Sequence, residues 1–224
     1  MPEAFSPRAL VFDAYGTLFD VFSVGAACED RFPGKGAELS RLWRTKQLEY
    51  SWLRSLMGRY TAFEAITLDA LRFSCRALGV ELTQDDARAL LGAYRRLELF
   101  PEVTRSLEAL GDCRKAILSN GSPAMLAAVV EHAGISRHFD AVISVDALQM
   151  YKPSPEVYEL ATHKLGIARD ETGFVSSNFW DITGAASFGF RTFWINRSNA
   201  PRDELGFQPY RVIRGLDELA AELA

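Results

Sequence analysis

Six short runs, mostly apolar and most halted by a polar or turn-forming residue, punctuate this sequence. They are Ala9–Phe12 before Asp13, Lys115–Leu118 before Ser119-Asn120-Gly121, Ala141–Val145, Gly173–Val175 before Ser176-Ser177-Asn178, Arg191–Ile195 and Tyr210–Ile213. Short apolar runs bounded by turn residues read as buried strands. Helical stretches separate them, with start and stop signals. Ser122-Pro123 sets a capping hydroxyl before a first-turn proline, and Gly134 closes that helix. Ser154-Pro155 repeats the device, with Gly166 as the stop. Strand alternating with helix predicts a parallel sheet covered on both faces, an α/β fold of Rossmann-like type.

Residues 20–98 break this rhythm. Leu39, Leu42, Trp43, Tyr50, Leu53 and Met57 recur at helical spacing, as do Phe63, Ile66, Ala70, Leu71, Phe73 and Leu78. Thr83 and Asp86 have capping-box spacing ahead of Ala87, Leu90, Leu91 and Tyr94. The expected organisation is a core of residues 1–19 and 99–224, with residues 20–98 as an inserted helical cap. A chain of 224 residues suits one large domain or a core with a smaller insert, and needs no covalent staple.

Composition removes several classes. Lys plus Arg number 25 against 29 Asp plus Glu, a formal charge of −4, a poor match to nucleic acid. Cys28, Cys75 and Cys113 are scattered and odd in number, which argues against a disulfide framework and a structural zinc site. Met1–Arg8 has no apolar core or cleavage signature, and no stretch approaches a membrane span. The expected location is the cytoplasm.

In a parallel sheet, ligands bind beyond the carboxyl ends of the strands. Collected there are Asp13, Tyr15 and Thr17 after the first run, Ser119 and Asn120 after the second, Lys152 and then Tyr158 beyond the third, and Ser176, Asn178 and Asp181 after the fourth. Each has a bland use alone. Asp13 and Ser119-Asn120-Gly121 suit turns, Lys152 suits a solvated loop, and Asp181 suits a helix cap. Their joint placement at one sheet edge marks a site. No GxSxG, GxGxxG or GxxxxGK[ST] is present, which removes the usual nucleophile elbow, dinucleotide loop and P-loop. His132, His138 and His163 fall in helices or helix ends away from this set, which argues against a Ser-His-Asp triad or a histidine metal site.

Asp13-Ala14-Tyr15-Gly16-Thr17-Leu18, Ser119-Asn120-Gly121, Lys152-Pro153 and Ser176-Ser177-Asn178-Phe179-Trp180-Asp181 resemble the four motifs of the haloacid dehalogenase superfamily, and within it the (S)-2-haloacid dehalogenases. The similarity extends into the insert, through Leu42–Tyr50 and Trp52–Met57, and covers nearly the whole chain. It implies a Rossmann-like core, a helical cap and a site between them. Asp13 would be the nucleophile. Arg44 and Asn120 would cradle the departing halide, and Ser119, with main-chain amides near Tyr15, would hold the substrate carboxylate. Lys152 would stabilise the clustered carboxylates. Thr17, Tyr158, Ser176 and Asn178 would orient their neighbours, and Asp181 would help activate water. Tyr15, Leu48, Phe63 and Trp180 would line an apolar pocket. Where many relatives carry glutamine after the cap arginine, this chain has Thr45, which bears on substrate size.

The implied reaction is hydrolysis of short (S)-2-haloalkanoic acids to (R)-2-hydroxy acids, through an aspartyl ester and with inversion at C2. Phosphatases of the superfamily keep a second aspartate two residues after the nucleophile to protonate an alkoxide, whereas this chain has Tyr15. Halide leaves without a proton. Where phosphatases commonly place a metal-binding acid, Ser177 stands here, so neither metal nor cofactor is expected. The rival readings are an atypical phosphatase of the same superfamily and a non-catalytic carboxylate-binding protein. The resemblance also implies a homodimer, for which the aromatic-rich cap helix around Trp43, Tyr50 and Trp52 is a candidate face.

Overall fold

The computed structural model describes residues 5–111 and 113–223, so the first four residues of the Met1–Arg8 segment lie outside it. All six runs form strands, with ends shifted by at most one residue: β1 (Ala9–Phe12), β2 (Arg114–Ser119), β3 (Ala141–Ser144), β4 (Thr172–Ser176), β5 (Arg191–Ile195) and β6 (Arg211–Ile213). Every neighbouring pair is parallel, in the order β3-β2-β1-β4-β5-β6. The order reverses direction at β1. A crevice opens beyond the strand ends at such a point, and Asp13 is the residue that follows β1. Strand β1 is solvent-free along its length; an uninterrupted apolar run is what a strand covered on both faces requires.

The helices are α1 (Val24–Arg31), α2 (Gly36–Leu56), α3 (Phe63–Ala77), α4 (Gln84–Ala93), α5 (Val103–Ala109), α6 (Pro123–His132), α7 (Pro155–Leu165), α8 (Phe179–Phe188) and α9 (Leu219–Glu222). Thr83 and Asp86 form the reciprocal capping box at α4, and the Ser122 hydroxyl accepts from the Met125 amide at the start of α6. Ser154 does stand at the start of α7, but its hydroxyl makes no capping bond; the proline after it supplies the fixed backbone angle instead.

Helices α1–α4 carry the chain between Asp20 and Glu98. The outgoing and returning segments run side by side, Phe19 bridging Leu99 antiparallel, the Asp20 amide donating to the Glu98 carbonyl (2.8 Å) and the Phe100 amide to that of Leu18 (3.1 Å). One apolar core is continuous across both parts, joined at Tyr15 against Phe63 (6.3 Å between ring centres). No helix among the described residues is long and apolar enough to cross a membrane.

Two expectations about α2 fail. Trp43 cannot serve an interface face: it is fully buried, its indole donating to the Thr67 carbonyl (2.7 Å) and its ring meeting Tyr94. Tyr50 packs on Phe73, and Trp52 packs edge-on against Trp180 of the core. The exposed apolar residues of this helix end are Leu53, Leu56 and Met57. The periodic stripe that should have continued to them is taken over by Gln47 and Ser51, both solvent-free. Polar groups are tolerated there because they are bonded: the Gln47 amide donates to Thr67 Oγ1 and accepts from the Tyr94 hydroxyl. Thr45, in turn, is exposed and spends its hydroxyl on the Arg41 carbonyl (3.0 Å). It faces away from the core, so it enlarges no pocket.

Candidate active site

Tight turns deliver the polar residues to one place. After β1, the amides of Leu18 and Phe19 both return to the Ala14 carbonyl. Gly16 sits at φ +90°, a region open to glycine and strained for other residues. Asp13 is held at the mouth of this loop, 5% exposed. Its carboxylate accepts three hydrogen bonds: at Oδ1 from Lys152 Nζ (3.1 Å), and at Oδ2 from the Thr17 hydroxyl (2.9 Å) and Asn178 Nδ2 (2.8 Å). Thr17 Oγ1 in turn accepts the Ser177 amide (2.9 Å), and Ser176 Oγ accepts the Asn178 amide (3.1 Å). Loop and fourth-strand turn are thus stitched together around one carboxylate.

Lys152 is no solvated loop lysine. Its side chain is solvent-free and bridges Asp13 to Asp181, 2.9 Å from Asp181 Oδ2. Burial alone would depress its pKa, but the two carboxylates outweigh burial and raise it, so it stays charged. Asp181 is a perturbed acid. Burial, and the negative charge of Asp13, push it up to about 6 against the pull of Lys152 and the Tyr158 hydroxyl, which donates to Oδ1 at 2.7 Å. A carboxyl group poised there is ionised but basic at neutral pH, as a group accepting a proton from water must be.

Asn120 ties the second strand end to this chain, its Oδ1 accepting the Lys152 amide (3.0 Å) while its Nδ2 is buried without a partner among the described residues. The Tyr15 hydroxyl and the indole nitrogens of Trp52 and Trp180 are likewise buried and unpartnered. An unmet buried donor costs about 1–3 kcal/mol, and a bound anion relieves that cost. Arg44, on α2, reaches the Tyr15 carbonyl (3.5 Å). Burial pushes the Tyr15 phenol up, and the nearby Arg44 charge partly opposes that push. Leu48 lies one turn further on α2, half-buried on the same side. Ser119 is solvent-free, its hydroxyl accepting the Gly121 amide (3.1 Å).

The sequence-predicted set therefore converges: Asp13, Thr17, Asn120, Lys152, Tyr158, Ser176, Asn178 and Asp181 form one bonded network, and Arg44 approaches it through the Tyr15 main chain. The three histidines make no hydrogen bond to it among the described residues. No three His, Cys, Asp or Glu side chains converge as metal ligands among those residues either; the positive charge beside Asp13 is Lys152. Of three further neighbours, the sequence marked Ser177 only for lacking a metal-binding acid and Trp52 only as part of an interface face, and did not mark Arg197. Ser177 donates to the Gly16 carbonyl (2.6 Å), Trp52 of α2 packs edge-on against Trp180, and Arg197 reaches the carbonyls of Gly16 and Thr17. Arg197 carried a usable signal, since it stands two residues past the carboxyl end of β5.

The profile of the family described as haloacid dehalogenase-like hydrolase matches residues 7–189. The chain is 53% identical, over 204 residues, to an (S)-2-haloacid dehalogenase of Pseudomonas sp. (strain YL), covering 90% of this chain and 88% of that one. It is 46% identical over 219 residues to haloacetate dehalogenase H-2 of Moraxella sp. (strain B), covering 97% and 98%. Its fold superposes with a TM-score of 0.91 on the L-2-haloacid dehalogenase of Xanthobacter autotrophicus with chloropropionic acid covalently bound, at 40% identity over 96% of this chain and 97% of that one.

Proposed function

This chain belongs to the haloacid dehalogenase-like hydrolases, and we propose that it hydrolyses short (S)-2-haloalkanoic acids to (R)-2-hydroxy acids through an ester on Asp13. The carrying observation is the buried Asp13–Lys152–Asp181 chain with Tyr15, not an acid, two residues after the nucleophile. A carboxylate so placed can displace a group that needs no proton, and the residue two places on is a tyrosine rather than the acid that phosphatases keep there to protonate an alkoxide. The naming of the (S)-2-haloacid dehalogenases among its relatives, and the covalently bound chloropropionic acid in the Xanthobacter structure, support the same route.

In this reading Oδ1 of Asp13 attacks C2 from the face opposite the halogen, and C2 inverts. Oδ2 becomes the ester carbonyl oxygen. Thr17 and Asn178, already donating to Oδ2, stabilise the charge that develops there when water adds to the ester carbon. Asp181 takes the proton from that water and returns it to Oδ1 as the bond between Oδ1 and the ester carbon breaks, so the hydroxy acid departs with the original Oδ1. Arg44 and the free Asn120 amide receive the halide, a planar and weakly hydrated guanidinium suiting a large soft anion. Ser119 and the amides near Tyr15 hold the substrate carboxylate, and Tyr15, Leu48, Phe63 and Trp180 form the apolar wall. Residues 20–98 act as a cap over the core of residues 1–19 and 99–224, a division supported by the paired linkers at Phe19 and Leu99. A cytoplasmic homodimer completes the proposal.

A single turnover in heavy-oxygen water, with enzyme in excess over (S)-2-chloropropionate, tests the ester. Unlabelled lactate and label retained in the Asp13 peptide are expected; labelled lactate in that first turnover refutes the covalent route.

A further inference from the structure

Arg197 lies outside the set that the reaction above uses, yet its guanidinium spends two donors on the base of the nucleophile loop and two more on Glu102. Nη1 donates to the Gly16 carbonyl (3.3 Å) and Nη2 to that of Thr17 (3.0 Å). Nε and Nη2 also donate to Glu102 Oε1 (3.0 and 2.7 Å). The head lies over the Phe100 ring, 3.7 Å from its centre. Glu102 and Phe100 belong to the segment returning from residues 20–98, and Gly16 and Thr17 to the segment entering them. One planar cation therefore fastens both linkers to each other beneath Asp13.

We propose that Arg197 is a positioning residue for the displacement, its guanidinium fixing the Gly16 and Thr17 carbonyls and through them the loop that presents Asp13. The proposal rests on the reaction proposed above. Thr17 is solvent-free and its hydroxyl makes one of the three bonds to Asp13. The peptide plane after Thr17 sets where that hydroxyl points, and the Arg197 bond sets that plane. Gly16, at positive φ, resists no rotation by itself, and its carbonyl is gripped from two sides, by Arg197 and by the Ser177 hydroxyl. Glu102 orients the fork and stays ionised: burial pushes its carboxyl up, and the Arg197 bonds together with backbone amides more than reverse this. A lysine could supply the charge but only one of these directions at a time.

The test is steady-state halide release from (S)-2-chloropropionate by wild type, Arg197→Ala and Arg197→Lys, each checked for folding by circular dichroism. A loop misplaced by about 1 Å costs about 100-fold in rate. Arg197→Ala should lose about that factor in kcat, with KM within about twofold, and millimolar guanidinium sulfate should restore at least about tenfold by refilling the vacated fork site. Arg197→Lys should fold as wild type and lose about tenfold in kcat. It decides the question if Arg197→Ala does not fold. Wild-type kcat in Arg197→Lys, a loss confined to KM, or no rescue of a folded Arg197→Ala overturns the assignment. No halide from the wild type overturns the proposed reaction as well, whereas halide from the wild type with an unaffected variant overturns this proposal alone.

Discussion

Replacing Asp181 by asparagine should make the protein more stable and nearly stop its turnover. In the folded chain Asp181 ionises at about 6, raised by burial from an ordinary value of 3.8. Holding it ionised above that pH therefore costs about two pH units, or about 3 kcal/mol. The sign follows from proton binding. A raised carboxyl pKa means the folded state binds the proton more tightly, so the contribution is fully present below about pH 4 and is lost as pH rises through about 6. Asparagine imitates the protonated acid and escapes that loss. Its amide can also be met in place: the oxygen faces Lys152, while the new NH2 donates to the Tyr158 hydroxyl, whose own proton turns to the main-chain carbonyl of residue 181, 3.3 Å away. Asp181→Asn should accordingly match wild type near pH 4 and exceed it by about 3 kcal/mol at pH 7.5, about 6–12 °C in Tm. Urea denaturation at the two pH values measures this. Activity should move the other way, since removing a positioned base costs about 100- to 10,000-fold. Halide should appear once per chain and the Asp13 ester should accumulate, visible as a heavier Asp13 peptide. A variant less stable than wild type at pH 7.5, or a stability difference that ignores pH, refutes the account of this cluster.

Three further outcomes are expected. Arg44→Lys keeps the charge but loses the fork, and should lose most halide release; near wild-type kcat/KM would remove Arg44 from the halide site. Gly184→Ala sets a methyl carbon 2.5 Å from both the Tyr158 hydroxyl and Pro153 Cβ, so one side must move. Overpacking of this kind costs about 1–3 kcal/mol of stability by denaturation, and ester hydrolysis should slow as Tyr158 leaves Asp181. Exhaustive chelation should leave turnover of 2-chloropropionate unchanged, because Lys152 supplies the charge that a metal supplies to phosphoryl oxygens; activity lost to EDTA and restored by Mg²⁺ would point back to phosphate chemistry.

The strands, the capped helices and the polar residues at the strand ends were legible in the chain because their causes are local. An apolar run halted at Asp13, a serine before a proline at 122–123, and a threonine three residues before Asp86 each act within a turn or two of themselves. The helical periodicity of residues 39–57 was equally visible, but not which side of it would be covered. Trp43 went inside and Leu53 and Met57 outside because Thr67 and Tyr94, from α3 and the end of α4, met the first and nothing described meets the others as closely. Gln47 is buried for the same reason, as its bonds come from residues 20 and 47 positions away. Thr45 resembled a pocket residue in the sequence and became a surface one by the 100° that separates it from Arg44 on the helix. Lys152 shows the division most clearly. Its sequence neighbours suit a solvated loop, and its charge is kept in a solvent-free place by one carboxylate 139 residues away and another 29 away. Arg197 reaches Thr17 across 180 residues. Local sequence determines which torsions and faces a segment prefers, whereas the partners that make a buried charge tolerable come from remote segments, and only packing brings them to hydrogen-bond distance.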